Sequence, residues 1–413
     1  MKILQFTPRF FPVMGGTTTR LYNLLINDGN IHFLYHPYPR KIQVPHKNDN
    51  KFRNIKVRRS FLFKKSVRIR FFNKIFSNII LFLINRKRLF NSVQEDNLDI
   101  VHGHNPILFG FTAMKYALKN QIPFIYEIHV FNSDNLFQYS GFFLSKLIDY
   151  FFDMIKRYRI KKVLKNANKI IIQSNAIKKR LLNTFEITEE KLVIIPMGVD
   201  LDDFNPNKWS KEGKNLRNLN NWSEKIVFMY NGYLNKYNGV KLLLEAMIEL
   251  PEDIKRNIKL IILGRGPFKN FIKNTSTKLD FIDFLGLKHY DDMPAYYSAS
   301  DVVVTPRLNT YVKDNVPTKL LEAMAMEKII LGSDINSIKN LIKNGVNGFL
   351  FKSGNKDDLI EKLIFIIENF GEFENVRKRA RIDVQNRYSW KRMRKKLKSI
   401  YSSIKKERNL IND

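Results

Sequence analysis

Short apolar segments rich in Ile, Val and Phe recur along the whole chain, and stretches with the apolar spacing of amphipathic helices separate them. These segments predict strands at Lys2–Phe6, Ile31–His36, Ile55–Arg58, Asp99–His102, Phe124–His129, Lys169–Gln173, Leu192–Ile195, Lys225–Tyr230, Lys259–Leu263, Phe281–Leu285, Val302–Thr305, Ile329–Gly332 and Gly348–Phe351. Strands that are apolar throughout and alternate with helices are typical of parallel sheets covered on both faces. The pattern therefore predicts an α/β protein.

The predicted strands form two series, and the segment between them is a poor candidate for the interior of a helix or strand. Residues 196–206 read PMGVDLDDFNP, which combines prolines, a glycine and aspartates. A chain of 413 residues is also longer than one ordinary hydrophobic core. We therefore expect two Rossmann-like domains, residues 1–198 and 199–388, followed by a C-terminal segment, residues 389–413.

The composition supports sizeable cores and restricts the chemistry. Apolar residues make up 44% of the chain, with 33 Phe and 17 Tyr, which argues against wholesale disorder. Cysteine is absent, so disulfides, Cys-ligated zinc, iron–sulfur clusters and thiol nucleophiles are excluded.

Basic side chains exceed acidic ones by 71 to 39, for a net charge of +32. The excess lies in residues 1–200, with 33 basic and 13 acidic side chains, and in residues 391–413, with 9 basic and 2 acidic ones. A basic field of this size attracts nucleic acid, anionic lipid or anionic substrates.

The most basic region is residues 51–92, in which Lys51–Arg88 holds 13 Lys or Arg and no Asp or Glu. Within it, Asn73–Leu89 can form an amphipathic helix that suits a membrane interface; the alternative is a core helix with a solvated basic face. A similar stretch, Phe142–Leu164, is predicted to pack in the core. The predicted membrane contacts are Arg58, Arg59, Lys64, Lys65, Arg68, Arg70, Phe71 and Phe72.

Nothing in the sequence predicts a membrane-spanning helix. Met1–Phe6 is typical of a strand rather than of a secretory signal. The most apolar run, Phe71–Ile84, contains Lys74 and is shorter than the roughly 20 residues that a spanning helix needs. We therefore expect peripheral membrane attachment.

Glycines follow several predicted strands, where the phosphates of a ligand can approach the backbone. Gly15 and Gly16 precede a helix predicted to begin at about residues 17–19. In the second half, Asn231–Gly232 and Gly264–Arg265–Gly266 also follow strands. Since neither a GxGxxG nor a Walker sequence is present, simple strand-to-helix turns are the alternative.

A helix predicted to open at Pro317 or Thr318 carries Lys319 and Glu322 in its first two turns. A diphosphate can bind at such a helix N-terminus, and a carboxylate there can accept two hydrogen bonds from a ribose diol. In the alternative interpretation, Glu322 only complements the helix dipole.

The order and spacing of these segments resemble glycosyltransferase family 4, whose members have the GT-B fold. The resemblance rests on FTPRFFPVMGG, DIVHGHNP, IPFIYEIH, IIIQSNAIKKRL, VIIPMGVDLDDF, YNGYLNKYNGVKLLLEAM, LIILGRGP, YYSASDVVVTPR, PTKLLEAMAMEK and NGVNGFLF. It implies two Rossmann-like domains facing across a cleft, with a C-terminal helix, here Trp390–Lys406, crossing back to the first domain. It also implies retaining transfer of a sugar from a nucleotide-diphosphate sugar, bound mainly by the second domain, to an acceptor bound by the first.

The resemblance assigns roles to individual residues, and the catalytic set that it implies is His129, Asp314 and Glu322. Glu322 matches the carboxylate that holds the ribose, and Asp314 stands where the family usually has a glutamate. Gly16 matches a glycine beside the donor phosphates, and His129 a position near the reacting sugar. A structural histidine at a strand end is the alternative for His129.

Two cations that the family often uses are missing, because Tyr233 and Asn238 occupy their positions. A diphosphate leaving group needs charge compensation, so other cations should replace them. The predicted donor-binding residues are Gly15, Gly16, Gly232, Lys236, Arg265, Arg307, Lys319 and Glu322.

We expect no metal and no other cofactor. Asp200–Leu201–Asp202 has the DxD spacing of another glycosyltransferase fold, but it lies in the predicted interdomain loop. His102 and His104 share one strand face, and the sequence offers no third ligand at a metal-site spacing.

These observations predict a glycosyltransferase that is peripheral at the cytoplasmic face of a membrane and acts on a lipid-linked or saccharide acceptor. A basic nucleic-acid-binding protein, with Phe rings stacking on bases, is the alternative from another class. No known nucleic-acid module is recognisable, so no nucleic-acid partner is expected. A sugar-nucleotide epimerase of the same fold is the second alternative.

Overall fold

The computed structural model describes residues 1–8, 10, 16–37, 54–60, 86–105, 107–129, 143–309 and 316–412. The chain divides into two compact units, Met1–Pro196 with Met393–Asp413, and Met197–Arg392. We call them the first and the second domain. Each contains a parallel sheet with helices.

The first domain is built on a seven-stranded parallel sheet. Its strands are β1 (Lys2–Phe6), β2 (Ile31–Pro37), β3 (Ile55–Ser60), β4 (Ile100–His104), β5 (Phe124–Glu127), β6 (Lys169–Ile172) and β7 (Leu192–Ile194). Its helices are α1 (Gly16–Leu25), α2 (Ile107–Lys119), α3 (Phe143–Asn166) and α4 (Asn175–Thr184). The strand order is β3-β2-β1-β4-β5-β6-β7.

The second domain has a six-stranded parallel sheet. Its strands are β8 (Ile226–Tyr233), β9 (Ile258–Arg265), β10 (Ile282–Gly286), β11 (Val302–Thr305), β12 (Ile329–Ser333) and β13 (Phe349–Phe351). Its helices are α5 (Pro206–Leu219), α6 (Val240–Ile248), α7 (Glu252–Arg256), α8 (Lys269–Ser276), α9 (Met293–Ala299), α10 (Thr318–Ala325), α11 (Asn336–Lys339), α12 (Lys356–Glu368) and α13 (Glu374–Arg387). The strand order is β10-β9-β8-β11-β12-β13.

The predicted α/β architecture is confirmed, and every predicted strand is present within a few residues of its expected ends. Strand β4 runs on to His104, whereas β5 stops at Glu127, so that His129 lies two residues beyond it. The helix expected at residues 317–318 begins at Thr318, after Pro317.

The C-terminal helix α14 (Trp390–Asn412) begins where expected and is longer than predicted. From Met393 onward it belongs to the first domain, which confirms that it crosses back. Leu397, Tyr401 and Ile404 are buried there, one helical turn apart, because this spacing gives the helix one face that packs on the domain.

Of the two predicted amphipathic segments, the structure describes only the second over most of its length. Most of Asn73–Leu89 lies outside the described residues, although residues 86–91 are helical. The end of Phe142–Leu164 packs in the core as predicted, because Val163 and Leu164 are fully buried beneath the first sheet's apolar residues. Within the described residues, no helix is both long and apolar enough to cross a membrane.

Most strands of the two sheets are largely buried, which explains why they are mainly apolar. Residues 3–6 of β1 and all residues of β4 are buried. Polar side chains on these strands, such as Gln5 and His102, are therefore buried too and must find partners inside the protein.

Gly239 provides a test of the second domain's packing. It adopts a left-handed conformation (φ 71°), and a Cβ there would lie 1.6 Å from the Pro306 carbonyl oxygen. Gly345 has a similar φ of 74°, but a Cβ there would meet nothing within 4 Å. We expect Gly345→Ala to cost about 1–2 kcal/mol of unfolding free energy, from left-handed backbone strain alone.

Gly239→Ala should cost clearly more, since a backbone carbonyl must also move. Urea denaturation of both variants measures the difference, and equal losses would contradict the predicted clash.

Candidate functional site

Both sheets have the strand order of doubly wound α/β folds, in which ligands bind beyond the carboxyl ends of the strands where the order reverses. In the first domain this switch point lies between β1 and β4, and in the second between β8 and β11. Most of the predicted site residues that the structure describes lie at these two edges.

In the second domain, Lys319 lies directly over the end of β8. Its Nζ donates a hydrogen bond to the Asn231 carbonyl oxygen at 2.5 Å. The same Nζ lies only 2.8 Å from the place that a Cβ of Gly232 would occupy. A side chain at position 232 would displace the ammonium group, so the glycine is required for this approach.

Glu322, one turn further along α10, is held by two phenols. Its side chain is 7% exposed. The Tyr297 hydroxyl donates to Oε2 at 2.9 Å, and the Tyr290 hydroxyl lies 3.4 Å from Oε1. The Asn231 amide in turn donates to the Tyr297 hydroxyl at 2.8 Å.

These contacts set the ionisation of the group. Burial raises the pKa of the Glu322 carboxyl, while the tyrosine hydroxyls and the Lys319 charge oppose that rise. Burial and the Glu322 charge raise the pKa of Tyr297 and Tyr290, so both hydroxyls remain protonated donors. Glu322 therefore belongs to a hydrogen-bonded group with Tyr297, Tyr290 and Asn231.

The other predicted donor-binding cations lie at the same edge of the second sheet. Arg265 is the last residue of β9, Arg307 lies two residues after β11, and Lys236 lies three residues after β8. Tyr233 and Asn238, which the resemblance aligns with the family's cations, bond to each other: the Asn238 amide donates to the Tyr233 carbonyl oxygen at 2.7 Å.

Several predicted site residues lie outside the described residues: Gly15, Asp314, Lys64, Lys65, Arg68, Arg70, Phe71 and Phe72. Gly16 is the first residue of α1, and Arg59 lies in β3, but the side chain of Arg59 is not described. Arg58 is half exposed and forms an ion pair with Glu95 at 3.0 Å, so its charge is already paired within the domain.

In the first domain, a buried polar cluster occupies the carboxyl ends of β1, β4 and β5. It comprises Gln5, His102, His104, Glu127 and His129, none more than 6% exposed. The two-residue period of a strand places His102 and His104 on one face. His129, two residues beyond Glu127, accepts at Nδ1 from Gln173 and has Nε2 3.1 Å from His104.

An ion pair compensates the charge of this cluster. Arg20 Nε meets Glu127 Oε1 at 2.5 Å, and the other guanidinium nitrogens donate to the carbonyl oxygens of Pro196 and Ile195. Although burial raises the pKa of Glu127, Arg20 and the histidines together lower it well below its usual range. The carboxylate is therefore ionised.

The structure corrects one expectation, because Glu127 joins His102 and His104 as a third group with the spacing of metal ligands. Its Oε2 lies 3.5 Å from His102 Nε2 and 3.4 Å from His104 Nδ1. The long-range fold, rather than local spacing, brings the carboxylate there. The Arg20 guanidinium already neutralises this carboxylate, which disfavours a second cation beside it. That no metal binds remains a prediction.

The partners of the site residues carry little signal in the sequence. Tyr290 and Tyr297 lie 32 and 25 residues before Glu322. Arg20 lies on a helix 107 residues before Glu127. The repeated two-residue spacing of His102 with His104 and of Glu127 with His129 is the one local pattern that indicates a shared polar face.

Comparisons with known proteins agree with this architecture. The sequence profile described as Glycosyl transferases group 1 matches residues 212–383, and the profile Glycosyltransferase Family 4 matches residues 33–203. An uncharacterised glycosyltransferase of Methanocaldococcus jannaschii is 25% identical over 334 residues, covering 78% of this chain and 80% of that protein. The alpha-monoglucosyldiacylglycerol synthase of Acholeplasma laidlawii is 24% identical over 387 residues, covering 89% of each chain.

Among solved structures, HepE of Anabaena in complex with UDP superposes with a TM-score of 0.73 at 16% identity, covering 98% of this chain and 100% of HepE. The fold is therefore GT-B, and the protein is an enzyme of the glycosyltransferase class. The two matched profiles together span most of the chain and show a glycosyltransferase of the family 4 type.

The histidine cluster predicts how stability depends on pH. Burial lowers the pKa of His102 and His129 to about 4, and that of His104 well below its ordinary value. As the pH falls, the histidines of an unfolded chain would bind protons near pH 6.5, before those of the folded chain do. Each histidine therefore lowers the free energy of unfolding by about 1.4 kcal/mol per unit of pKa difference between the two states. This stability is present above pH 6.5 and should be lost as the pH falls towards 4.

Urea denaturation between pH 7.5 and 4.5 measures this loss. His289→Gln, which removes an exposed histidine of the second domain, is the control and should leave the slope unchanged. Unfolding free energy that stays constant over this range would contradict buried neutral histidines.

Proposed function

We propose that this glycosyltransferase moves a sugar, with retention of anomeric configuration, from a nucleotide-diphosphate sugar to a hydroxyl group of a membrane-held or polysaccharide-precursor acceptor. The observation that carries the donor part is the arrangement of Lys319, Gly232 and Glu322 at the end of β8. HepE, which has the same fold, was solved with UDP and with UDP-glucose, which supports a nucleotide donor.

In this proposal Lys319 replaces the missing family cations. Its ammonium group is already placed over a glycine at the strand end, beside the first turn of α10. A diphosphate at this edge would gain a cation and the backbone N–H groups of a helix N-terminus. Glu322, held by Tyr297 and Tyr290, would accept hydrogen bonds from the ribose hydroxyls.

The reaction then proceeds by charge stabilisation without a metal ion. The bond between the anomeric carbon and the diphosphate oxygen breaks, and the cations of the second domain stabilise the leaving group. The acceptor hydroxyl attacks from the same face, and its proton passes to the leaving phosphate. The family resemblance implies that His129 would orient a sugar hydroxyl or stabilise developing charge.

The acceptor part of the proposal rests on the distribution of charge and on the relatives. The net charge of +32 lies mostly in the first 200 residues and the C-terminal tail. The Acholeplasma relative is, by its name, a synthase of a glycosylated diacylglycerol. A basic surface at the cytoplasmic face of an anionic membrane would bring the enzyme to such an acceptor.

A thermal-shift panel of nucleotide sugars, run with EDTA, tests the donor site. We expect at least one nucleotide sugar to stabilise the protein, because a ligand that binds only the folded state raises its melting temperature. Glu322→Ala should abolish the shift and Lys319→Ala should weaken it. The matched control is Glu361→Ala, an exposed glutamate on α12 of the same domain.

A full shift in Glu322→Ala would remove Glu322 from the donor site. Radiolabelled donor incubated with lipid or saccharide acceptors then separates transfer from epimerisation, which would return the sugar on its nucleotide.

Sedimentation with vesicles tests the membrane part. We expect glutamate in place of four cations, Lys64, Lys65, Arg68 and Arg70, to weaken binding to anionic vesicles. The loss should be roughly a thousandfold, because each cation contributes about 1 kcal/mol of membrane binding energy. The control reverses four exposed lysines of the second domain: Lys241, Lys269, Lys343 and Lys352. Binding to nucleic acid but not to vesicles at matched salt would overturn the proposal.

A further inference from the structure

Asn231, near the end of β8, is connected to both predicted donor-binding side chains of α10, Lys319 and Glu322. Its carbonyl oxygen accepts a hydrogen bond from Lys319 Nζ at 2.5 Å. Its side-chain amide donates to the Tyr297 hydroxyl at 2.8 Å, and that hydroxyl donates to Glu322 Oε2 at 2.9 Å. One residue of the sheet therefore holds the cation directly and the carboxylate through a single phenol.

The one proton of the Tyr297 hydroxyl has two acceptors within reach, and the contacts select Glu322. The carboxylate oxygen is closer, at 2.9 Å, than the Lys319 carbonyl oxygen, at 3.2 Å. A hydrogen bond to a carboxylate is also stronger than one to a neutral carbonyl. Asn231 supports this direction, because its amide nitrogen donates to the hydroxyl oxygen and does not compete for the proton.

Packing holds this phenol in place. Tyr297 is fully buried, and the centroid of its ring lies 5.8 Å from that of the buried Phe204 ring. The Phe204 ring also lies 6.0 Å from the ring of Tyr290. In a close-packed interior, a side chain moves only if its neighbours move as well. The Tyr297 hydroxyl therefore has a fixed place beside α10 before any ligand binds.

The ionisation of the two groups agrees with this hydrogen bond. Burial raises the pKa of the Glu322 carboxyl, while the bond from Tyr297 and the charge of Lys319 oppose that rise. Burial and the Glu322 charge raise the pKa of Tyr297 well above its usual value. The phenol therefore keeps its proton and donates it to the carboxylate.

Glu322 has acceptor sites beyond those that the tyrosines use. An ionised carboxylate offers about four lone-pair sites on its two oxygens. Tyr297 uses one site on Oε2, and the Tyr290 hydroxyl, 3.4 Å from Oε1, uses at most a second. Two sites remain, which is the number that the two hydroxyl groups of a ribose require.

We propose that Tyr297 and Asn231 are positioning residues of the donor site, which turn the Glu322 carboxylate towards the ribose hydroxyls and align it with the Lys319 ammonium group. The proposal rests on the proposed function, since it takes Glu322 to bind ribose and Lys319 to bind a diphosphate. It adds that one residue of β8 sets the places of both groups. Neither Tyr297 nor the Asn231 side chain contacts the nucleotide itself.

Titration calorimetry of the full chain with UDP, GDP and ADP tests the proposal. The nucleotide that binds most tightly is then compared with its 2′,3′-dideoxy form, which keeps the diphosphate and lacks both ribose hydroxyls. We expect Tyr297→Phe to weaken binding of the ribonucleotide by roughly tenfold, the effect of one hydrogen bond to a charged group. Binding of the dideoxy form should not change.

This comparison separates positioning from packing. An equal loss for both forms would overturn the positioning role, because it would show damage to the whole site. Unchanged or tighter binding of the ribonucleotide by Tyr297→Phe would overturn it as well. The matched control is Tyr296→Phe on the same helix, whose hydroxyl has no hydrogen-bond partner among the described residues and whose loss should leave both affinities unchanged.

A second variant tests the connection to β8. Asn231→Ala removes the side-chain amide but keeps the carbonyl oxygen that Lys319 contacts. We expect it to weaken ribonucleotide binding less than Tyr297→Phe does. The double variant should bind as Tyr297→Phe does, because the Asn231 side chain acts only through the phenol. Losses that add up would overturn the connection from Asn231 to Glu322.

Glu322→Ala distinguishes failure of this proposal from failure of the proposed function. If Glu322→Ala binds the ribonucleotide as tightly as the unaltered chain, the ribose role in the proposed function fails. If Glu322→Ala loses binding while Tyr297→Phe keeps it, only the positioning role is overturned. If the unaltered chain binds none of the three nucleotides, both proposals are overturned.

Discussion

The Arg20 guanidinium meets the Glu127 carboxylate where solvent reaches neither group, and the polar centre of the first domain depends on that contact. A buried carboxylate without a partner would cost several kcal/mol. The same guanidinium bonds to the carbonyl oxygens of Ile195 and Pro196, so it joins α1, the end of β5 and the segment after β7. With the charge balanced in this way, the neighbouring imidazoles can hydrogen-bond to one another.

The two domains have the same strand order but carry different side chains at the carboxyl ends of their strands. In the second domain, a cation and a carboxylate from one helix lie beside the strand ends, and tyrosine hydroxyls orient the carboxylate. In the first domain, imidazoles, carboxamides and the Arg20–Glu127 ion pair occupy that edge.

The C-terminal helix takes part in the first domain's polar centre. Tyr401 accepts from the Gln5 amide at 3.1 Å, and its hydroxyl lies 2.8 Å from His102 Nδ1. The helix therefore does more than cover apolar surface, since it supplies a polar partner for β1 and β4. The family resemblance implied that this helix crosses back, but nothing in the sequence indicated the hydroxyl contact, because residues 5, 102 and 401 meet only after the chain has folded.

The apolar strands and the helix at Thr318 followed from local patterns, since burial on both faces of a parallel sheet requires unbroken apolar segments and a proline suits a helix start. The matched motifs likewise indicated Glu322 and Lys319, and both lie at the predicted edge. Sequence spacing gave no sign of the phenols on Glu322, of Glu127 beside two histidines, or of Tyr233 bonded to Asn238. Those contacts join strands, helices and loops that are distant along the chain, and hydrogen-bond direction depends on distances of about 3 Å, which only three-dimensional packing sets.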